Sequence, residues 1–438
     1  MARFEDVPED HVFHDDIEWI AARGITKGAN PPANTLYKPN DAVTRGQMAA
    51  FLRRAQEPVD EPPPPPPSGD FDTIVQPGDD IQAAIASVGA GGTTWGDGPR
   101  IGFAPGVYAV DLKPLRAQTF GSVEPGAAVL DGAGLGDFAY AFRGPAQHSL
   151  DAAPYVTIQG LEVRGYMAAQ QRGAIYGIVT GDGGWRVVDC DVHDNEWAGV
   201  VLGGNRAQIL GGRIHHNRQL GFGLKNGADQ LAQGIEADWN NIKPAWAADW
   251  ANRRDWTWAH HSTIPKRQDD PLVPFYVKPG WEAGTCKCVS TTRLTFRQVH
   301  AHHNFGPGLW CDINNVDTLY EDNLVEEVTK AGIFHEISLG ATIRGNTVRG
   351  AGWPIVGSMS AFKWQSGIHS AQGGDVLVED NVVDDCVMGI VGVNQCRSTY
   401  PAGSITGHRN TVTDSGPSGP FSDCGQPPSW DFDATNVM

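Results

Sequence analysis

A glycine followed by a short β-type run recurs along residues 71–438, and this recurrence constrains the fold more than any other feature of the chain. It reads GIVT at 177–180, GVVL at 199–202, GFGL at 221–224, GLWC at 308–311, GIFH at 332–335 and GIVG at 389–392. Gly177, Gly199 and Gly221 are evenly spaced, and the step from Gly308 to Gly332 is nearly the same. The longer gap from Gly221 to Gly308 fits an inserted segment, and that from Gly332 to Gly389 fits two enlarged turns. A second element recurs out of phase, as RVVDCDVHDN, RIHHN, QVHAHHN, LYEDNLV, ATIRGNTV, VLVEDNVV and GHRNTV. It carries Asn195, Asn217, Asn304, Asn323, Asn346, Asn381 and Asn410. A period of about 22–24 residues holding two or three short strands describes one coil of a solenoid. Such a coil cannot bury its apolar face alone, so coils must stack. Asn recurring at one turn is expected to ladder through amide hydrogen bonds between coils.

Composition agrees with this reading. Glycine supplies 54 of 438 residues, about one in eight, against a usual ~7%. Charged residues are 19%, which excludes a coiled coil, while 40% hydrophobic residues permit a large core and exclude wholesale disorder. The net charge of −18 is spread as −1 over residues 1–56, −5 over 57–72 and −12 over the remainder. No basic run is present, so nucleic acid is excluded as a partner. No stretch approaches ~18 consecutive apolar residues, so membrane insertion is not expected.

Residues 57–70 divide the chain. They include six consecutive prolines at 62–67, which adopt stiff polyproline II and have no N–H to join a sheet. Residues 1–56 form a small helical module before this linker, with helices expected from Asp15 to Arg23 and from Thr44 to Arg54. The segment FEDVPEDHVFHDDIEWIAARGITKGANPPANTLYKPNDAVTRGQMAAFLRRA resembles one S-layer homology repeat, most specifically in DVP, IEWIAARGIT and TRGQ. The resemblance implies binding of a cell-wall polymer, with Thr44 and Arg45 in the binding groove. Such repeats usually act as three copies, so a homotrimer is one expectation.

After the linker, DTIVQPGDDIQAAIASV and RIGFAPGVYAV resemble the opening of a right-handed parallel β-helix of the pectate-lyase-like superfamily. The first piece matches a capping helix with Ile81, Ala84, Ile85 and Val88 inward, and APGVY at 104–108 matches a first coil. The implied fold class is mainly β, a parallel β-helix over 71–438 with a small α-helical module in front. Residues 228–281 break the repeat and hold six of the 14 tryptophans, so a Trp-rich insertion is expected there. Its Trp256, Trp258 and Trp281, with Arg253, are candidates to hold sugar rings, or to build the insertion's own core.

Chemistry is expected on three consecutive coils, in WEAGTCK at 281–287, GLWCDINN at 308–315 and GIFHEIS at 332–338. Together these resemble a broad group of bacterial and phage-associated β-helix repeat proteins. Asp312 and Glu336 each lie four residues after a coil glycine, and so one period apart. Parallel strands lie ~4.8 Å apart, so the two carboxyls should stack on one face. Stacking raises one pKa, as a general acid and base pair requires. Lys287 and Glu282 complete the catalytic candidates. Lys287 precedes Asp312 by one residue more than that period, so its face depends on whether the coil gains a residue. Trp310 and His335 are candidate substrate-binding residues, although His335 is adjacent to Glu336 and should face the other side of the strand. A stabilising polar ladder is the competing reading of the same cluster.

No cofactor is indicated. The His-rich turns at 215–217 and 301–304 read as structural, and Asp384–Asp385 could take calcium but lacks calcium-loop spacing. Seven cysteines, spread thinly, make a poor disulfide framework, and the CKC at 286–288 reads as small buried thiols. The N-terminal MARFEDVPEDH has neither the basic start nor the apolar run of a secretory signal. The leading expectation is a β-helix that engages a surface polysaccharide, on a phage tail among tail proteins or outside the cell, as a receptor-binding protein or depolymerase. The alternatives are a secreted or wall-associated polysaccharide lyase or glycoside hydrolase, and a non-catalytic structural β-helix.

Overall fold

The chain divides into two units, Met1–Pro64 and Pro65–Met438. The computed structural model describes residues 71–145, 151–169, 171–242, 247–255, 283–353, 364–397 and 403–432. These residues form a right-handed parallel β-helix. Thr44, Arg45, Trp256, Trp258, Trp281 and Glu282 lie outside the described residues.

Among the described residues the strands make three parallel sheets of 19, 11 and 5 strands. A typical coil runs from a three-residue strand in the first sheet (Arg186–Val188) to a three-residue strand in the second (Asp191–His193), then into a longer strand (Ala198–Asn205). The third sheet begins at Leu309–Asp312 and continues through Ile333–Glu336, Ser366–Ala371, Met388–Asn394 and Gly419–Ser422.

Alternation of side chains builds the interior. In the second sheet the middle residue of each strand points inward, giving a column of Val163, Val192, Ile214, Ala237, Ala301 and Val325 that continues to Val412. In the first sheet the equivalent column includes Phe296 stacked on Tyr320, with ring centroids 5.1 Å apart. The N-terminal end is closed by the helix Ile81–Val88, whose Asp80 caps the Ala83 N–H at 3.0 Å. Ile81 and Ile85 are buried, and Ala84 and Val88 pack against the same core. Toward the other end Trp430 and Phe432, from the strand Ser429–Phe432, stack with ring centroids 4.0 Å apart and pack against the core.

Three expectations need correction. The asparagines do not form one ladder. Asn195, Asn217, Asn240 and Asn304 hydrogen-bond in series at the turn after the second sheet, at 2.9–3.1 Å. Asn323, Asn346, Asn381 and Asn410 do so at the turn before it, at 2.9 Å. The expected insertion also starts late. Leu231–Gln233 and Glu236–Asp238 are regular strands paired in register, and Asn240 belongs to the first ladder, so the solenoid continues to Ile242. This coil was hidden because Trp239 and Asn240 stand where other coils carry His or Asp and Asn, with no marker glycine following. Finally, Cys396 and Cys424 form a disulfide, while the other five cysteines are reduced and buried. Cys286, Cys288 and Cys311 belong to the apolar interior.

Candidate functional site

The strands Leu309–Asp312 and Ile333–Glu336 pair residue for residue, Trp310 opposite Phe334, Cys311 opposite His335 and Asp312 opposite Glu336. Alternation sends Cys311 and His335 inward and leaves Trp310, Asp312, Phe334 and Glu336 on the outer face. The coil before adds Lys287. Cys288 bridges Cys311, so Lys287 lies beside Trp310, on the outer face and two positions short of the carboxylate column. The coil does not gain a residue; the length of the lysine side chain closes the gap instead. Its Nζ reaches Asp312 Oδ2 at 2.9 Å and lies 4.5 Å from the centre of the Trp310 ring.

The turns after the carboxylates are held tightly. Ile313 and Ile337, the residues after Asp312 and Glu336, have φ of 58° and 46°. Such values are costly for a β-branched side chain and persist only where the surroundings enforce them. A short side-chain ladder does so here. Thr291 Oγ1 donates to Asn315 Oδ1 at 2.7 Å, Asn315 Nδ2 to Ser338 Oγ at 3.1 Å, and Ser338 Oγ to the Glu336 carbonyl at 2.7 Å. Both carboxylates are therefore fixed at strand ends whose backbones cannot easily shift.

The two carboxyls have different surroundings. Asp312 is only 6% exposed and faces the Lys287 ammonium. Glu336 is half-buried and accepts a hydrogen bond from Gln395 Nε2 at 3.0 Å. Gln395 is held in turn by Arg397 Nε. Burial first, and the Asp312 charge second, push the Glu336 carboxyl above its ordinary value, against the lowering pull of Gln395, Arg397 and Lys287. Two buried polar atoms beside this pair have no hydrogen-bond partner among the described residues, Asp312 Oδ1 and Trp310 Nε1. Unmatched buried groups of this kind are uncommon in folded chains.

Trp310 does not present an open platform. It is 4% exposed, stacks on Phe334 at 5.5 Å and belongs to a small outer cluster with Met388 and Val391. His335 is fully buried in the interior, where its Nδ1 lies 3.4 Å from the Tyr320 hydroxyl and burial holds its pKa down to about 4. It cannot meet a ligand on the outer face without unfolding the strand. Arg253 lies in the short helix Trp250–Asp255, ion-paired to Glu327 with its guanidinium over the Trp250 ring. Glu327 follows a second-sheet strand, so Arg253 sits before the third-sheet strands begin, whereas Asp312 and Glu336 lie at their ends. The structure therefore joins Asp312, Glu336, Lys287 and Trp310 and leaves His335 and Arg253 out of that cluster.

Gln395 and Arg397 join the site and escape sequence reading. Their coil is reached only through the pairing of Glu336 with Ala371 and of Ala371 with Val393, two steps of unequal length. The long first step hides the column. The one local hint is that Gln395 stands two residues beyond Val393, on the same face.

Residues 174–383 match the right handed beta helix region family, and residues 3–49 match the S-layer homology domain. No curated protein matches by sequence. Among solved structures, the catalytic unit of a GH87 α-1,3-glucanase from Streptomyces thermodiastaticus strain HF3-3 is 11% identical with a TM-score of 0.52, over 84% of this chain and 69% of that one. The A-module of a mannuronan C-5 epimerase from Azotobacter vinelandii is 14% identical with a TM-score of 0.49, over 81% and 93%. The surface adhesin PfbA of Streptococcus pneumoniae is 9% identical with a TM-score of 0.45, over 79% and 90%. These likenesses concern the fold. Among the described residues no helix is long and apolar enough to cross a membrane.

Proposed function

We propose that this chain is a surface- or wall-associated β-helix that cleaves a polysaccharide, with Glu336 as proton donor and Asp312 as the partnering carboxylate. The observation that carries the reading is the unequal carboxyl pair at one strand end. Glu336 has a raised pKa and stays protonated longer, while Asp312 is held beside an ammonium at 2.9 Å. Pairs of carboxyls in unlike surroundings are what acid–base cleavage of a glycosidic bond uses. Glu336 gives its proton to the leaving oxygen. Asp312 takes the proton of a water whose oxygen bonds to the anomeric carbon as the glycosidic bond breaks, and Lys287 holds Asp312 in place at 2.9 Å.

The matched S-layer homology domain supports a site outside the cell, against a wall polymer, and Thr44 and Arg45 are the proposed contacts. The disulfide agrees with an oxidising compartment. The α-1,3-glucanase unit shares the fold, which supports a glycan as the substrate class. The −12 charge on the β-helix body favours a neutral glycan over a strongly anionic one. The fold alone supports neither a virion-tail role nor a homotrimer, and the proposal includes neither. The test is incubation of the intact chain with a panel of envelope polysaccharides, following reducing ends and the absorbance of an unsaturated uronate. Reducing ends without uronate absorbance are expected from a hydrolase. Absorbance would move the reading to a lyase, and glycan binding with neither product would leave a binding protein.

A further inference from the structure

The outer face of the second sheet carries a separate cluster of donors. On the strand Asp191–His193, Asp191 and His193 both point outward, because Val192 between them points into the core. On the next strand, Arg213–His215, His215 lies directly opposite His193. The two imidazoles are parallel within 5° with centroids 4.7 Å apart. His215 Nε2 stands 2.9 Å from Asp191 Oδ1. One donor atom from each of Asp191, His193 and His215 falls within 4.8 Å of the others.

From this geometry we propose that Asp191, His193 and His215 bind a divalent transition-metal ion of the zinc type. Two imidazoles and one carboxylate are a donor set zinc takes, with a fourth position left for water. Ligands of a tetrahedral zinc at ~2.0–2.1 Å lie roughly 3.3 Å from one another, so the two stacked rings must tilt toward each other for both Nε2 lone pairs to meet one ion. The far side of each ring is already engaged, and on the near side His193 Nε2 also lies 3.3 Å from Glu162 Oε1, a carboxylate the ion would meet beside its fourth position. His193 Nδ1 contacts Asp194 Oδ2 at 2.8 Å, and His215 Nδ1 contacts His216 Nδ1 at 2.8 Å. A carboxylate on the far ring nitrogen orients a metal-binding histidine and strengthens it as a ligand. The imidazoles are mostly enclosed, at 14% and 13% exposed, whereas Asp191 is 50% exposed and opens the site to solvent.

A comparable cluster two coils on shows what distinguishes the site. Glu236, Asp238 and His302 repeat the arrangement, but Asp238 already takes both hydrogen bonds of the Arg213 guanidinium, at 2.9 and 2.6 Å. Its carboxylate is neutralised, so this second cluster is not part of the proposal. The proposal is independent of the glycan site.

The experiment is calorimetric titration of zinc chloride into the intact, EDTA-treated and dialysed chain, with cobalt(II) as a spectroscopic substitute. A Kd of about 10 µM or tighter is expected for a three-ligand site, with visible absorption on cobalt loading. His193→Asn and His215→Asn should each weaken zinc by about tenfold or more, and His302→Asn should leave it unchanged. Because a histidine variant could fail to fold, Asp191→Asn, at an exposed position, serves as a second probe. Zinc should raise the thermal midpoint of the wild type and not that of Asp191→Asn. No zinc binding tighter than about 1 mM, or binding unchanged by all three substitutions, overturns the proposal.

Discussion

Removing the Lys287 ammonium while keeping its bulk, by Lys287→Met, isolates the electrostatics of the outer-face cluster. In the wild type Asp312 is 8% exposed at the side chain, its Oδ2 meets Lys287 at 2.9 Å, and its Oδ1 has no hydrogen-bond partner among the described residues. Without the lysine, an enclosed carboxylate is left uncompensated. Breaking a buried pair from one side typically costs about 3–5 kcal/mol. Loss of the ammonium from the Trp310 face adds about 0.5–2 kcal/mol. The double variant Lys287→Met with Asp312→Asn removes both charges and should recover most of the loss, giving a coupling of about 2 kcal/mol or more. Urea unfolding followed by circular dichroism at pH 7 measures both. A solenoid need not unfold in one step, so hydrogen exchange at residues 285–312 checks that the change is local. If Lys287→Met costs less than about 0.5 kcal/mol, or the double variant is no better than the single, the pair is screened by solvent and the argument for a charged, enclosed Asp312 fails.

Other consequences follow from the same structure. His335 is buried with its pKa held near 4 against a usual 6.5, so the unfolded chain binds that proton first as pH drops. Stability should therefore decline from about pH 6.5 down to about pH 4, by up to about 3 kcal/mol. Thermal unfolding at stepped pH should show this decline in the wild type and a smaller one in His335→Gln. Asn346→Ala removes the acceptor of the Asn323 backbone N–H and Nδ2, at 3.0 and 2.9 Å, and should destabilise by about 2–5 kcal/mol. A change of less than about 1 kcal/mol in urea unfolding would show that the ladder is dispensable. Reducing the Cys396–Cys424 bond, which closes a sequence separation of 28, should cost up to about 3–4 kcal/mol in the last coils. It should also speed hydrogen exchange at 395–397 and lower glycan turnover, because Gln395 and Arg397 flank the bonded Cys396; unchanged exchange there would detach the disulfide from the site.

The repeat itself was legible because stacking demands a regular period, and glycine and asparagine mark it at positions where a larger or apolar residue does not fit. Gly308 shows why: a Cβ there would come within 2.2 Å of the Gly332 carbonyl oxygen one coil on. The Asp312–Glu336 pairing was legible for the same reason, since equal offsets from two coil glycines place two residues on one face. Three things were hidden. The two Asn ladders occupy different turns but share the local pattern of a short strand followed by Asn, so one recurrence stood for both. The coil at 231–242 uses Trp239 in the left-handed turn position that Asp194, His216 and His303 take elsewhere. Gln395, Arg397 and the disulfide lie beyond the enlarged coil that joins Glu336 to Ala371, where counting along the chain no longer predicts neighbours.

Glu336 is the proposed donor of the proton that breaks a glycosidic bond. Turnover by wild type and by Glu336→Gln, on the same polysaccharide at the pH optimum and with binding measured alongside, tests it most directly. Glu336→Gln should lose at least about a hundredfold in turnover with binding within about threefold of wild type. Turnover retained within about threefold, in a variant that binds normally, would contradict it.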